Sequence, residues 1–410
     1  MKTALRNGTI LDAFHSHSPA DLLVEDGIIT SVSQGWNGEA DLTVDLAGCT
    51  VMPGFFDAHV HIILDDSGFR EDALLGWAKN GVVCVRDCAM LSGLPVIDYL
   101  TWLKQRNTPD YPCVLTSGKF IDVPGGYGSE LPAGHPIGML VNTPEDGRRT
   151  VRYLHGLGCR GIKIPLDFSP PPFTDQPREN GLSPELIAAI CDEAKSLGLW
   201  VTCHALASQE LGTLVDSGVT DAGHTPHDFM PDELIARMVQ SGIPMVSTAV
   251  GPVVDPDSPP MMPPPPPSPD GVRLPPPPPL SPEQEAARAR HAAQNTQTAL
   301  ENLRRFRAAG GTVLLGTDLM FSGNYPMCAC IPVREMEALA SVGFTQQELI
   351  TAGTLAPARA CGLEDTMGSL TVGKQASLIA IDRPIGADFR GLMAPPFVMN
   401  RGEIIVNHFR

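Results

Sequence analysis

The 410-residue sequence predicts an α/β protein: a (β/α)8 TIM barrel with a small β-sandwich built from both chain termini. Three observations predict it. Eight short apolar runs alternate with helical stretches through the middle of the chain. Glycine stands just before several of those runs (Gly81, Gly161, Gly198, Gly218, Gly242 and Gly311), where a helix ends and turns back into a sheet. Short β-type runs occupy both chain ends.

At the N-terminal end, Ala20–Ile29 and Leu42–Leu46 are β-type runs broken by Gly and Asp. Similar runs return as Ala376–Asp382, Pro396–Asn400 and Glu403–Val406. The two ends are expected to pair, so that 1–50 and 374–410 form one composite domain interrupted by a barrel at 51–373. The barrel strands are read as Val51–Phe56, Val82–Arg86, Cys113–Thr116, Gly161–Ile164, Trp200–Cys203, Val219–Ala222, Pro244–Thr248 and Val313–Leu315. Pro184–Ser196 follows Ser183, a good N-cap, and reads as a helix. Pro231–Gln240 and Pro282–Ala309 read the same way. Residues 252–282 break the pattern with 16 of the 40 prolines. Proline fixes φ and lacks an N–H, so this insertion is expected as polyproline II or disorder. It follows strand seven, which places its start on the rim where a barrel carries its site.

Composition narrows the function. Lys+Arg is 29 against Asp+Glu 46, a net charge of −17, and an acidic protein repels phosphate backbones. No nucleic-acid partner is expected. No run approaches the ~20 apolar residues of a membrane helix, so no membrane partner is expected either. Arg6, Asn7 and Gly8 interrupt the start where a leader needs an apolar run, and a cytoplasmic chain is expected. The ten cysteines form no CxxC and read as incidental thiols.

The chemistry-bearing residues fall at strand ends. His59 and His61, spaced by two, share one face of the first strand. His204 ends strand five, His224 strand six and Asp318 (LLGTD) strand eight. Neutral imidazoles with a carboxylate suit a divalent metal. Lys163 lies amid Ile162, Ile164 and Pro165 in strand four. A buried lysine is costly to keep charged. Its pKa falls on desolvation, and the neutral amine can react with CO2 to give an anionic two-oxygen ligand. Arg86 and Asp87, at the end of strand two, read as a structural pair.

Together PGFFDAHVHI, GIKIP, His204, His224, GTD and the tail TLAPARACGL…GSLTVGKQA resemble the amidohydrolase superfamily, in order and over nearly the whole chain. The branch most resembled holds imidazolonepropionase-like enzymes and metal-dependent Xaa-Pro and Xaa-Lys/Arg dipeptidases. The resemblance implies two divalent ions, zinc first, with Mn, Co or Fe also acceptable to these ligands. It implies His59, His61 and Asp318 on one ion, His204 and His224 on the other, and a carbamate on Lys163 bridging them. It also implies a metal-bridging hydroxide, with Asp318 moving the proton to the leaving nitrogen. Two departures stand out. Relatives commonly carry GGH after strand three, where this chain has Pro124–Gly128 (PGGYG), so Tyr127 becomes the candidate carbonyl donor. Relatives often have an acidic residue before the strand-six histidine, where this chain has Gly223. His135 and His227 are further candidate substrate contacts.

The expectation is therefore a binuclear hydrolase of an amide or peptide-like C–N bond in a small molecule, an N-acyl amino acid or dipeptide-like substrate, working as a homo-oligomer. The alternatives are a cyclic amide, imidazolone or lactone hydrolase, a mononuclear deaminase, and a non-catalytic scaffold. Lys163 argues against the deaminase, and the complete six-residue set argues against the scaffold.

Overall fold

A computed structural model describes the chain except for residues 17, 63–68, 130–136, 170–176, 252–280, 321–328, 384, 386–388 and 410. The expected strand-helix alternation is present. The barrel strands are β1 Phe55–His61, β2 Val82–Asp87, β3 Cys113–Thr116, β4 Gly161–Pro165, β5 Trp200–His204, β6 Asp221–Ala222, β7 Met245–Val246 and β8 Val313–Leu314. All neighbouring pairs are parallel, in two arcs, β1–β3 and β4–β8. The arcs meet at two joints. Ala58 N–H donates to Leu315 O at 2.9 Å, and Arg160 N–H donates to Thr116 O at 2.9 Å beside a Phe120–Lys163 bridge. After β8, Leu319–Met320 pairs with Val60 and His61 of β1. The eighth strand's end is thereby brought against the two histidines.

The helices follow the sequence closely. Ser183 caps Pro184–Ser196 by accepting from Leu186 N–H at 3.3 Å, with proline in the first turn. The buried side of that helix (Leu186, Ile187, Ile190 and Ala194) joins a core shared with Trp77, Tyr99, Ile162 and Val201. The long helix Pro282–Ala308 starts with a capping box at Ser281 and Gln284. Its first turns stand fully exposed, and it buries only Ala299, Asn302, Leu303 and Phe306. Among the described residues, no helix is long and apolar enough to cross a membrane.

Strands from both chain ends form one eight-stranded sheet. It curls back on itself: Ile29 N–H donates to Lys374 O and Ala376 N–H to Gly27 O, each at 2.8 Å. Leu5, Ile10, Leu22, Val51, Leu378, Phe397 and Met399 fill the enclosed core. One expectation needs correction. Val51–Phe56 is not one strand. Thr50–Pro53 pairs antiparallel with Leu378–Ile381 in the terminal sheet, and the barrel begins only at Phe55. Pro53 and Gly54 make the break. Gly54 packs so tightly on β2 that a Cβ there would stand 2.4 Å from Val83. Ala20–Ile29 breaks at its Asp and Gly as expected: Ser18–Glu25 and Ile28–Ser33 are joined by a turn at Asp26 and Gly27, which both have positive φ. The proline-rich insertion at 252–282 lies outside the described residues except for its last two positions, which open the long helix.

Candidate metal centre

β1 ends in Asp57-Ala58-His59-Val60-His61, and alternation turns all three polar side chains inward. Asp57 anchors the eighth strand's end. It accepts Thr317 N–H at 3.0 Å and the Thr317 hydroxyl at 2.6 Å. Burial pushes the Asp57 carboxyl up to about 7, against those donors. Asp318 N–H then donates to His59 O at 2.8 Å. Asp318 sits at φ +54°, a left-handed conformation that a non-glycine residue adopts only when its surroundings demand it. The Thr317 clamp supplies that demand and aims Asp318 at the histidines. Its Oδ1 lies 3.4 Å from His61 Nε2 and 3.7 Å from His59 Nε2.

The other candidates converge on the same place. Lys163 Nζ is 3.1 Å from His59 Nε2. The His59 and His224 rings lie 4.4 Å apart, and the His204 and His224 rings 4.6 Å apart. Ligand atoms of His59, His224 and Asp318 all fall within 4.8 Å of one another. The structure thus brings together all six residues expected from sequence. Asp318, with a third of its side chain exposed, is the open member of the group, whereas the lysine and the four histidines are buried.

Each histidine is held from outside by one ring nitrogen. His59 Nδ1 is 2.6 Å from Gly223 O, and His61 Nδ1 is 2.7 Å from Ala89 O. His224 Nδ1 is 3.2 Å from Thr248 Oγ1, and His204 Nε2 is 3.1 Å from Asp167 Oδ2. The opposite nitrogens of His59 and His61 face Lys163 Nζ and Asp318 Oδ1. Outer acceptors of this kind orient a metal-binding imidazole and raise its basicity. Burial, then the nearby Lys163, holds His59 well below the usual imidazole range, and burial does the same for His224. The shift favours the neutral imidazole, the form that a metal requires. Burial also lowers the Lys163 ammonium, and no carboxylate lies within salt-bridge range of it among the described residues.

Gly223 is explained by crowding. A Cβ there would meet Cys203 O at 2.4 Å, Thr202 Oγ1 at 2.9 Å and Lys163 Nζ at 3.1 Å. The lysine occupies the space that any side chain would need. Tyr127 lies on the short turn Tyr127–Ser129 and stacks on His204, with ring centroids 4.2 Å apart. Gly126 N-terminal to it packs on Asp122, where a Cβ would stand 2.5 Å from Oδ1. Burial, then Asp318 and Asp167, pushes the Tyr127 phenol up, which keeps it a proton donor. His227 is half-buried on the loop after His224, tied by its N–H to Leu206 O at 2.8 Å, and is not one of the grouped ligands. His135 lies outside the described residues.

Arg86 does not pair with Asp87. Its guanidinium forks onto Asp221 at 2.7 and 3.1 Å, deep in the barrel, while Asp87 accepts from the Thr116 hydroxyl at 2.8 Å. Adjacent strand residues face opposite ways, so neighbours in sequence could not pair. Asp167 was missed by the sequence reading. It stands two residues past β4, outside every recognised motif.

Part of the chain matches a known family profile. That of the amidohydrolase family matches residues 174–407, more than half of the chain.

The chain belongs to the amidohydrolase family.

This amidohydrolase is similar to an imidazolonepropionase of Mycolicibacterium smegmatis, 25% identical over 94% of this chain and 91% of that one. It is also similar to a dihydroorotase of Thermoanaerobacter sp., 37% identical, but over only 17% of this chain and 16% of that one. The chain therefore matches only about a sixth of that curated relative's length. Among solved structures it resembles a Xaa-Pro dipeptidase with bound methionine in its active site, with a TM-score of 0.75, 21% identity, and coverage of 99% of this chain and 100% of that one. At that identity the likeness speaks for the fold. The full-length relative and the dipeptidase belong to the branch that the motifs resemble.

Proposed function

We propose that this amidohydrolase is a binuclear metal-dependent hydrolase that cleaves an amide-type C–N bond in a small molecule such as an N-acyl amino acid or a dipeptide. One observation carries the reading. Four buried histidines are each anchored by one nitrogen to an outer acceptor, and they gather beside Lys163 and Asp318. Such a set has the chemistry of a divalent-ion site. His59, His61 and Asp318 would hold one ion and His204 and His224 the other, with Lys163 shared as its carbamate. Two divalent ions, zinc first, would make a water acidic enough to give hydroxide near neutral pH and would polarise a carbonyl.

The chain's own residues supply the rest. Buried, and with no carboxylate in salt-bridge range among the described residues, Lys163 is suited to exist as a neutral amine, the form that takes up CO2. Asp318, open on one side, takes a proton at its carboxylate and passes it to the departing nitrogen. Tyr127, kept protonated on the face of His204, donates to the substrate carbonyl oxygen and helps hold developing negative charge there. His227, half-buried on the loop after His224, would be a further substrate contact.

A second reading is hydrolysis of a cyclic amide. The imidazolonepropionase that aligns over nearly the whole chain favours it. Metal analysis and a substrate panel test both. Two equivalents of zinc and turnover of N-acyl amino acids or dipeptides are expected. Turnover of cyclic amides alone would favour the second reading, and a protein that binds no metal would refute both.

A further inference from the structure

His204 is fixed more elaborately than the other three histidines. Asp167 Oδ2 meets its Nε2 edge at 3.1 Å. Asp167 is itself buried and steered by its other oxygen, which accepts Ser169 N–H at 2.8 Å and the Ser169 hydroxyl. Arg178 backs the carboxylate at 4.0 Å and donates to Ser169 O at 2.6 Å. The same guanidinium lies 5.0 Å from the centre of the Tyr127 ring, which also stacks on His204. Edge and face of one imidazole are thus both set by residues from the loop after β4 and the turn at Tyr127.

The carboxylate's place is informative. A buried carboxylate is expensive unless it is well paired. Here the cation is the more distant partner, at 4.0 Å, and the imidazole is the closer one, at 3.1 Å. Asp167 is therefore placed for His204 first. Taking the Nε2–H leaves Nδ1 as the donating nitrogen of His204. His59, His61 and His224 have Nδ1 engaged and keep Nε2.

We propose that Asp167 is a positioning residue that fixes the tautomer and ring direction of His204, and through them the affinity of one of the two metal sites. The proposal rests on the reading of His204 as a ligand. Outer-shell partners of this kind are worth about 10–100-fold in metal affinity.

The test uses the full chain and zinc or cobalt(II) alone, without substrate. Zinc affinity is measured by competition with a chromophoric chelator, and cobalt(II) geometry by its visible absorption. Asp167→Asn keeps the shape and removes the charge; Asp167→Ala removes the partner altogether. One zinc equivalent should weaken about 10–100-fold in Asp167→Ala and by a smaller factor in Asp167→Asn. The other equivalent should keep its parent affinity, and the cobalt spectrum should change. Parent affinity for both equivalents with an unchanged spectrum, in Asp167→Asn or in both variants, would overturn the proposal. If Asp167→Ala fails to fold, Asp167→Asn alone decides. A His204→Ala protein that still holds two equivalents at parent affinity would instead overturn the reading of His204 as a ligand.

Discussion

Replacing Gly223 by alanine isolates one physical cause. Gly223 is not among the residues with positive φ, so alanine meets no backbone strain. What it lacks is room. Its Cβ would lie 2.4 Å from the Cys203 carbonyl oxygen, a backbone atom that cannot swing aside, and 3.1 Å from Lys163 Nζ. Overpacking of a buried site costs about 1–3 kcal/mol. Loss of glycine's freedom in the unfolded chain returns about 0.4–1 kcal/mol. The middle of each range, about 2 and about 0.7 kcal/mol, leaves a net destabilisation of about 1.3 kcal/mol, which lowers Tm by roughly 3–5 °C at the scale of domains of 150–250 residues. A second effect follows from the same strand. Gly223 O accepts from His59 Nδ1, and the displaced lysine lies against His59 Nε2. Metal content should fall with stability. Calorimetry on metal-free protein separates the packing cost from the metal effect, and elemental analysis after zinc loading measures the second. A Gly223→Ala protein with parent Tm and two bound zinc ions would refute the crowding argument.

Lys163→Ala should lose most activity and recover part of it with added formate or acetate, because a small acid can take the place of the carbamate's charge; steady-state rates with and without the acid check this. Asp318→Asn should keep the fold and lower kcat by ~10²-fold or more, the scale of a lost proton-transfer group, as single-turnover kinetics would show. Thr317→Val should cost about 1–3 kcal/mol by leaving buried Asp57 short of a donor. It should also lower kcat, because Asp318 is aimed through the same clamp; thermal melts and kcat would show both effects or contradict the link.

The residues proposed to hold metal were legible in the sequence because each sits on a short local pattern. His59 and His61 share a face by spacing alone, and His204, His224 and Asp318 each close an apolar run. What stayed hidden depends on distant partners. Asp57 is a plain strand residue until Thr317, 260 positions away, closes on it. Arg86 pairs across 135 positions with Asp221, which no local pattern announces. Asp167 lies in a loop with no periodicity, and only the fold puts it against His204. The break at Pro53 and Gly54 was lost inside one apolar run, because both strands that it separates are buried. The composite terminal sheet was easier to foresee: β-type runs at both ends each needed a partner.

That sheet imposes a timetable on synthesis. Thr50–Pro53 must wait for Leu378–Ile381, about 330 residues later in the chain, before its second edge is covered. At 5–20 residues per second the ribosome needs roughly 20–60 s to deliver the partner. Throughout that interval an apolar strand edge is open to any neighbouring nascent chain. Polypeptides released before residue 378 never close it. Incomplete translation products of this protein would therefore keep that edge open as a template for pairing with other chains.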